Sequence, residues 1–181
     1  MLSASCAPVL LIGGWELAAA RQPGGFDPVA ATISALAAHG AADRWIMTTG
    51  LAGVGLCHVI TALGLRSAAV PGRLLLAAGG AASVAVATFP QPVTGDSTAH
   101  VLAASITFPA LSLWPALAWQ RGAGPPGRVG SLAAASGLLG LLGWFGFEFF
   151  REGALIGLTE RVLAGTQSLW PLVAVLLARR R

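Results

Sequence analysis

Read for polarity, the chain is a series of long apolar runs broken by short polar stretches. A membrane-spanning helix needs about 17–25 mainly apolar residues. Six stretches qualify, at 4–20, 45–65, 74–89, 99–119, 129–150 and 162–178. The breaks carry turn chemistry or charge: Arg66 to Arg73 encloses Pro71-Gly72, the third break holds Pro90, Pro92 and Gly95, and the fourth reads Gly-Ala-Gly-Pro-Pro-Gly over 122–127. The pattern predicts an all-α integral membrane protein, a single domain built as a six-helix bundle. The third run is the shortest and rich in Ala and Gly, so it is expected inside the bundle.

The first break is longer and has a pattern of its own. Asp27 suits an N-cap, Pro28 the first helical position and Gly40 the end. Val29, Ile33 and Leu36 fall at i, i+4 and i+7, one face of a helix. These signals predict a short helix over 28–39, about 18 Å long and too short to span. It would be an interfacial or re-entrant helix in the first outer loop.

Composition removes the soluble alternatives. The chain is 55% hydrophobic and 10% charged, with mean hydropathy +0.75. A soluble domain carries about 25% charged residues. A net charge of +4 would suggest nucleic acid in a soluble protein, but here the lipid bilayer is the expected partner and no nucleic acid is. All basic charge is arginine, a high-GC coding bias that points to a bacterial source. Cys6 and Cys57 both lie in apolar stretches and read as small packing residues. The first run has no basic region before it, and Gly13, Gly14 and Glu16 interrupt it, so it reads as a span and not as a cleaved leader.

The charges also set an orientation. Arg66, Arg73, Arg121, Arg128, Arg179, Arg180 and Arg181 fall on one side of a six-span topology, with no acid among them. The positive-inside rule makes that side cytoplasmic, with both termini, in a bacterial plasma membrane. The other side holds Arg21, Arg44, Arg151 and Arg161, and all seven acids: Glu16, Asp27, Asp43, Asp96, Glu148, Glu152 and Glu160.

Orientation does not require that outer excess, so the candidate chemistry lies there. Glu16 sits about a turn below the outer end of the first span, where a carboxylate is costly and needs a partner. Arg21 is too near the helix end to cover it; Arg151, Arg161 and His100 are the candidates. Asp96 and His100 are spaced i, i+4 at the start of the fourth span, one helix face if the helix has begun. With Glu16 they make a candidate metal or acid–base group; the structural alternative is that Asp96 or Ser97 caps the helix. Glu148 and Arg151 end the fifth span, Glu160 and Arg161 open the sixth, and Thr159 suits its N-cap. His58 is the deepest ionisable group, expected as a neutral imidazole bonded to a neighbouring helix. In the fifth span Ser136, Gly140, Gly143 and Phe147 form a stripe suited to close helix contact. No Walker loop, nucleophile elbow, His-Glu-x-x-His or Cys-x-x-Cys occurs, and no cofactor is implied.

Several of these residues carry a family likeness. The stretch Gln22-Pro23-Gly24-Gly25-Phe26-Asp27-Pro28, then Thr32-Ile33-Ser34-Ala35-Leu36, resembles the first outer loop of the bacterial and archaeal membrane family called domain of unknown function 998. So do Trp45 followed by Gly50, Phe89-Pro90 followed by Asp96 and His100, and Glu160-Arg161 followed by Trp170. The resemblance implies a multi-span helical membrane protein and supplies no catalytic or ligand residues.

Three readings remain open. The preferred one is an outward-facing polar pocket for a lipid headgroup or small molecule, drawing on Glu16, Arg21, Asp27, Asp96, His100, Glu148, Arg151, Glu160 and Arg161. The second is a membrane-embedded hydrolase or transferase using Asp96, His100 and Glu16. The third is a small transporter formed by oligomers, in which His58 would matter.

Overall fold

A computed structural model describes residues 1–95, 97–119 and 124–179, with backbone only at 124–126. Among these residues there is no strand. Six helices are long and apolar enough to cross a membrane. They are α1 (Leu2–Ala20), α2 (Trp45–Gly64), α3 (Val70–Thr88), α4 (Thr98–Ala118), α5 (Gly124–Phe150) and α6 (Ile156–Arg179). The protein is therefore a multi-pass membrane protein, as the hydropathy pattern predicts.

Each helix packs on the next in sequence, and α6 closes the ring against α1. The third helix makes its largest contacts with α2 and α4. Helices can meet this closely in lipid only where side chains are small. Gly55 and Gly80 provide the α2–α3 approach: a Cβ at Gly55 would lie 2.5 Å from the Gly80 carbonyl oxygen, and one at Gly80 would lie 2.6 Å from that of Gly55. The stripe expected to serve this purpose does not. Ser136, Gly140, Gly143 and Phe147 are all exposed, and nothing lies within 4 Å of a Cβ added at either glycine. The fifth helix instead buries Ala135 and Leu138.

Helix ends follow local chemistry. Ser97 caps α4, its hydroxyl accepting from the His100 backbone N–H at 3.3 Å; that half of the expectation holds. Asp96 lies outside the described residues. Pro71 sits in the first turn of α3, where a missing N–H costs nothing. The end of α2 is closed from outside the helix: Arg73 Nε donates to the Ala62 carbonyl at 2.7 Å and Nη2 to that of Leu63 at 3.0 Å, carbonyls a helix end leaves unpaired. Prolines lie inside α1, α4 and α6, a position membrane helices tolerate better than soluble ones.

The end of the bundle opposite the chain termini, here the distal end, is closed by the segment between α1 and α2. The expected helix over 28–39 is absent; the segment is a run of turns with one short 3-10 helix, Ser34–Ala37. Asp27 accepts from Val29 and Ala30 N–H, but it closes a turn and caps no helix. The chain then leaves the helical path because its backbone groups find partners elsewhere. Val29 O accepts from Leu158 N–H, Pro28 O and Ala31 O accept from Arg161, and Ile33 N–H donates to Glu160. Ile33 and Leu36 still point inward as their spacing predicts, at 2% and 0% exposure, while Val29 is exposed. They join Trp15, Ile46 and Met47 in the distal core.

Candidate functional site

The distal segment is held by the first two turns of α6. That helix begins at Ile156, three residues before Thr159, so Thr159 is not its N-cap; its hydroxyl donates within the helix to Ile156 O. The early start places Glu160 and Arg161 inside the bundle. Gly157 lets the segment lie against α6, since a Cβ there would overlap Ala31 O and lie 2.7 Å from Pro28 O.

Arg161 spreads one nitrogen over three carbonyls. Its Nη1 donates to Ala31 at 2.7 Å, Pro28 at 2.8 Å and Gly157 at 3.0 Å. Its guanidinium carbon lies 5.4 Å from the centre of the Phe26 ring and 6.0 Å from that of Trp15, within cation–π range. Glu160, Glu16 and Asp27 surround it electrostatically. Its other terminal nitrogen, Nη2, is buried and has no hydrogen-bond partner.

Glu160 is buried to 4% exposure. Its Oε2 accepts from Ile33 N–H at 2.5 Å, and the Ser34 hydroxyl also interacts with the carboxylate. Ser34 reaches a third helix: its Oγ is 3.1 Å from His100 Nε2, while His100 Nδ1 is 2.9 Å from Phe89 O. A carbonyl can only accept, so Nδ1 carries a hydrogen. Glu160, Ser34 and His100 thus tie α6, the distal segment and α4 together.

Beneath Ile33 and Ser34 the bundle holds a partly open cavity of about 50 Å³. Its walls are largely aliphatic, with Leu11, Leu51, Val54 and Leu111 among them. Glu160, Ser34, Ser83, Thr107, Gln167 and His58 also line it. His58 is 1% exposed and its Nδ1 lacks the expected partner on a neighbouring helix.

A family model described as "Protein of unknown function (DUF998)" matches residues 5–177. The chain belongs to this family. No curated protein and no solved structure matches it. The resemblance carried by 22–36, Phe89-Pro90, His100 and Glu160-Arg161 therefore holds, and in this DUF998 protein those stretches meet at the distal end.

The expected site residues divide into two groups. Glu16, Asp27, Glu160 and Arg161 cluster, and His100 joins them through Ser34. Glu16 is itself exposed and accepts from Trp15 Nε1 at 2.8 Å. Arg21, Glu148 and Arg151 lie apart. Arg21 pairs with Asp43 at 3.9 Å, both well exposed, an interaction of little worth in water. Glu148 closes the α5–α6 turn by accepting from Leu155 N–H, and Arg151 stacks on Phe147 at 5.0 Å. Among the described residues no three His, Cys, Asp or Glu side chains are grouped to hold a metal.

Sequence reasoning passed over Gln22, Ser34, Gly157 and Gln167 as individual actors. Gln22 clamps the segment's two ends, donating to Ala18 O and Ala42 O and accepting from Ala42 N–H. Gln167 donates to Phe108 O and Ser112 Oγ. A glutamine well inside a span was the available signal, since a buried amide in lipid must find partners.

Proposed function

We propose that this DUF998 protein binds a small zwitterionic molecule, a lipid headgroup being the chemistry that fits best, at the distal cluster of Arg161, Glu16 and Asp27. The observation that supports the reading is Arg161 Nη2, a charged donor buried with no partner. Such a group calls for an acceptor, and guanidinium suits phosphate and carboxylate oxygens. Glu16, Asp27 and the faces of Trp15 and Phe26 supply what an ammonium group would need beside it. The arginine asymmetry supports an outward-facing site, with cytoplasmic termini in a bacterial plasma membrane. No observation favours hydrolase chemistry over binding: the two ring nitrogens of His100 are already engaged by Phe89 O and Ser34.

The test is native mass spectrometry on protein released from nanodiscs of phosphatidylethanolamine and phosphatidylglycerol. Retained zwitterionic phospholipid is expected, with several-fold less retained by Glu16→Gln at unchanged thermal stability. No retained lipid, or equal retention by Glu16→Gln, overturns the reading.

A further inference from the structure

The cavity is a separate feature from the proposed headgroup cluster. Its polar lining is graded in depth. Counted at about 1.5 Å per residue from the distal helix ends, the levels are about 6 Å for Glu160, 8 Å for Ser83, 14 Å for Thr107, 17 Å for Gln167 and 20 Å for His58. An ionisable group thus stands at each end of the series. Ser83 and Thr107 donate their hydroxyl hydrogens to Leu51 O and Ala103 O, so each turns acceptor lone pairs to the cavity. At the deep end His58 has a buried, unpartnered Nδ1. A cavity needs about 10–15 Å³ and two to four polar partners to hold one water. About 50 Å³ accommodates several, and the unpaired imidazole nitrogen is a reason for one to stay.

We propose that the cavity holds a short file of water and carries protons from the distal face to His58, a proton-loading site deep in the bundle. The carboxylic acid form of Glu160 gives its proton to the first water, each water passes one on, and His58 Nδ1 accepts the last. That step leaves a carboxylate and an imidazolium. Glu160 is reprotonated by distal water through half-buried Ser34: the Ser34 hydrogen, otherwise turned to His100 Nε2, passes to the carboxylate as a water gives a proton to the Ser34 oxygen and leaves as hydroxide. The charged and titratable groups around Glu160 are Arg161 on its own helix, Glu16 on α1, Asp27 in the distal segment and His100 across Ser34. On the cavity itself His58 meets no ionisable group other than Glu160. The path has its last ionisable group at His58, so the activity is proton uptake into the bundle and not conduction across it.

The experiment uses ¹⁵N-histidine-labelled protein in nanodiscs, with water–imidazole exchange read by NMR. Exposed His39 is the internal control. The His58 ring is expected to exchange with water despite its burial. Glu160→Gln keeps the acceptor for Ile33 and is expected to slow His58 exchange by at least about tenfold, with His39 unchanged. Ala164→Leu, which fills the cavity, is expected to do the same with the carboxylate intact. A wild-type His58 ring without water contact overturns the proposal whether or not the variants fold. So does a Glu160→Gln exchange rate equal to wild type. Loss of lipid binding in Glu16→Gln leaves this result untouched, so the two proposals fail separately.

Discussion

Arg161 Nη1 lies 2.7 Å from the carbonyl oxygen of Ala31, a residue 130 positions earlier in the chain. With the bond to Pro28 O, it fixes the distal segment to α6. Hydrogen bonds to a charged donor contribute about 1.5–3 kcal/mol each before context reduces them. Arg161→Lys keeps the charge and loses the planar fork. It is expected to destabilise the protein by about 2 kcal/mol and to expose the 27–38 segment to limited proteolysis in detergent. A wild-type cleavage pattern would show that the segment is held without the Arg161 bonds.

Gly157→Ala tests the same contact from the other side. Its Cβ would overlap Ala31 O and crowd Pro28 O, both backbone atoms that cannot rotate away. The expected cost is about 1–3 kcal/mol, with faster hydrogen exchange at Leu158, whose N–H bonds Val29 O at 3.0 Å. Gly140→Ala and Gly143→Ala meet nothing within 4 Å, and for the isolated chain each is expected to change stability by less than about 0.5 kcal/mol. Thermal denaturation of the three variants in one detergent makes the comparison. Equal effects at all three positions would remove the packing argument.

This contrast shows what the sequence could carry. The six spans were legible because each apolar run is long and each break holds arginine, proline or glycine. The Ser97 cap was legible because capping is local. The helix over 28–39 was misread although Asp27, Pro28, Ile33 and Leu36 each sent the right local signal. The groups that unmake it, Arg161, Glu160 and Leu158, lie more than 120 residues away, and a one-dimensional pattern does not contain them. The same blindness made Thr159 look like a helix start. It also drew attention to the regular glycines of α5, while the close contact rests on Gly55 and Gly80. Of the candidate site, the identities of Glu16, Asp27, Glu160, Arg161 and His100 were visible. Their linkage through Ser34 was not, since a lone serine in a loop carries no signal.

Ser34→Ala tests that linkage. Removing the hydroxyl leaves His100 Nε2 and one side of Glu160 without their neighbour, both buried. A buried polar group left unpaired costs about 1–3 kcal/mol. Ser34→Thr keeps the hydroxyl and is expected to retain most of the stability, the extra methyl aside. Chemical-shift changes at the His100 ring should appear in Ser34→Ala and be small in Ser34→Thr. An unshifted His100 in the alanine variant would mean that the 3.1 Å contact does not persist in solution.

Orientation yields the last prediction. By the order of spans in the sequence, seven arginines and no acid fall in the loops and tail on the side of Arg66 and Arg73, and every acid falls towards the other side. Positive charge near span ends is retained in the cytoplasm, so the distal segment should face outward. In a background with Cys6→Ser and Cys57→Ser, which replaces the two free cysteines, a single His39→Cys is expected to react with an impermeant maleimide added to intact cells. His39 is exposed in the distal segment, so the thiol would be reachable there. A Ser67→Cys in the α2–α3 turn, also exposed, should react only after permeabilisation. The reverse pattern would invert the topology and put the Arg161 cluster and the Glu160 end of the cavity on the cytoplasmic side.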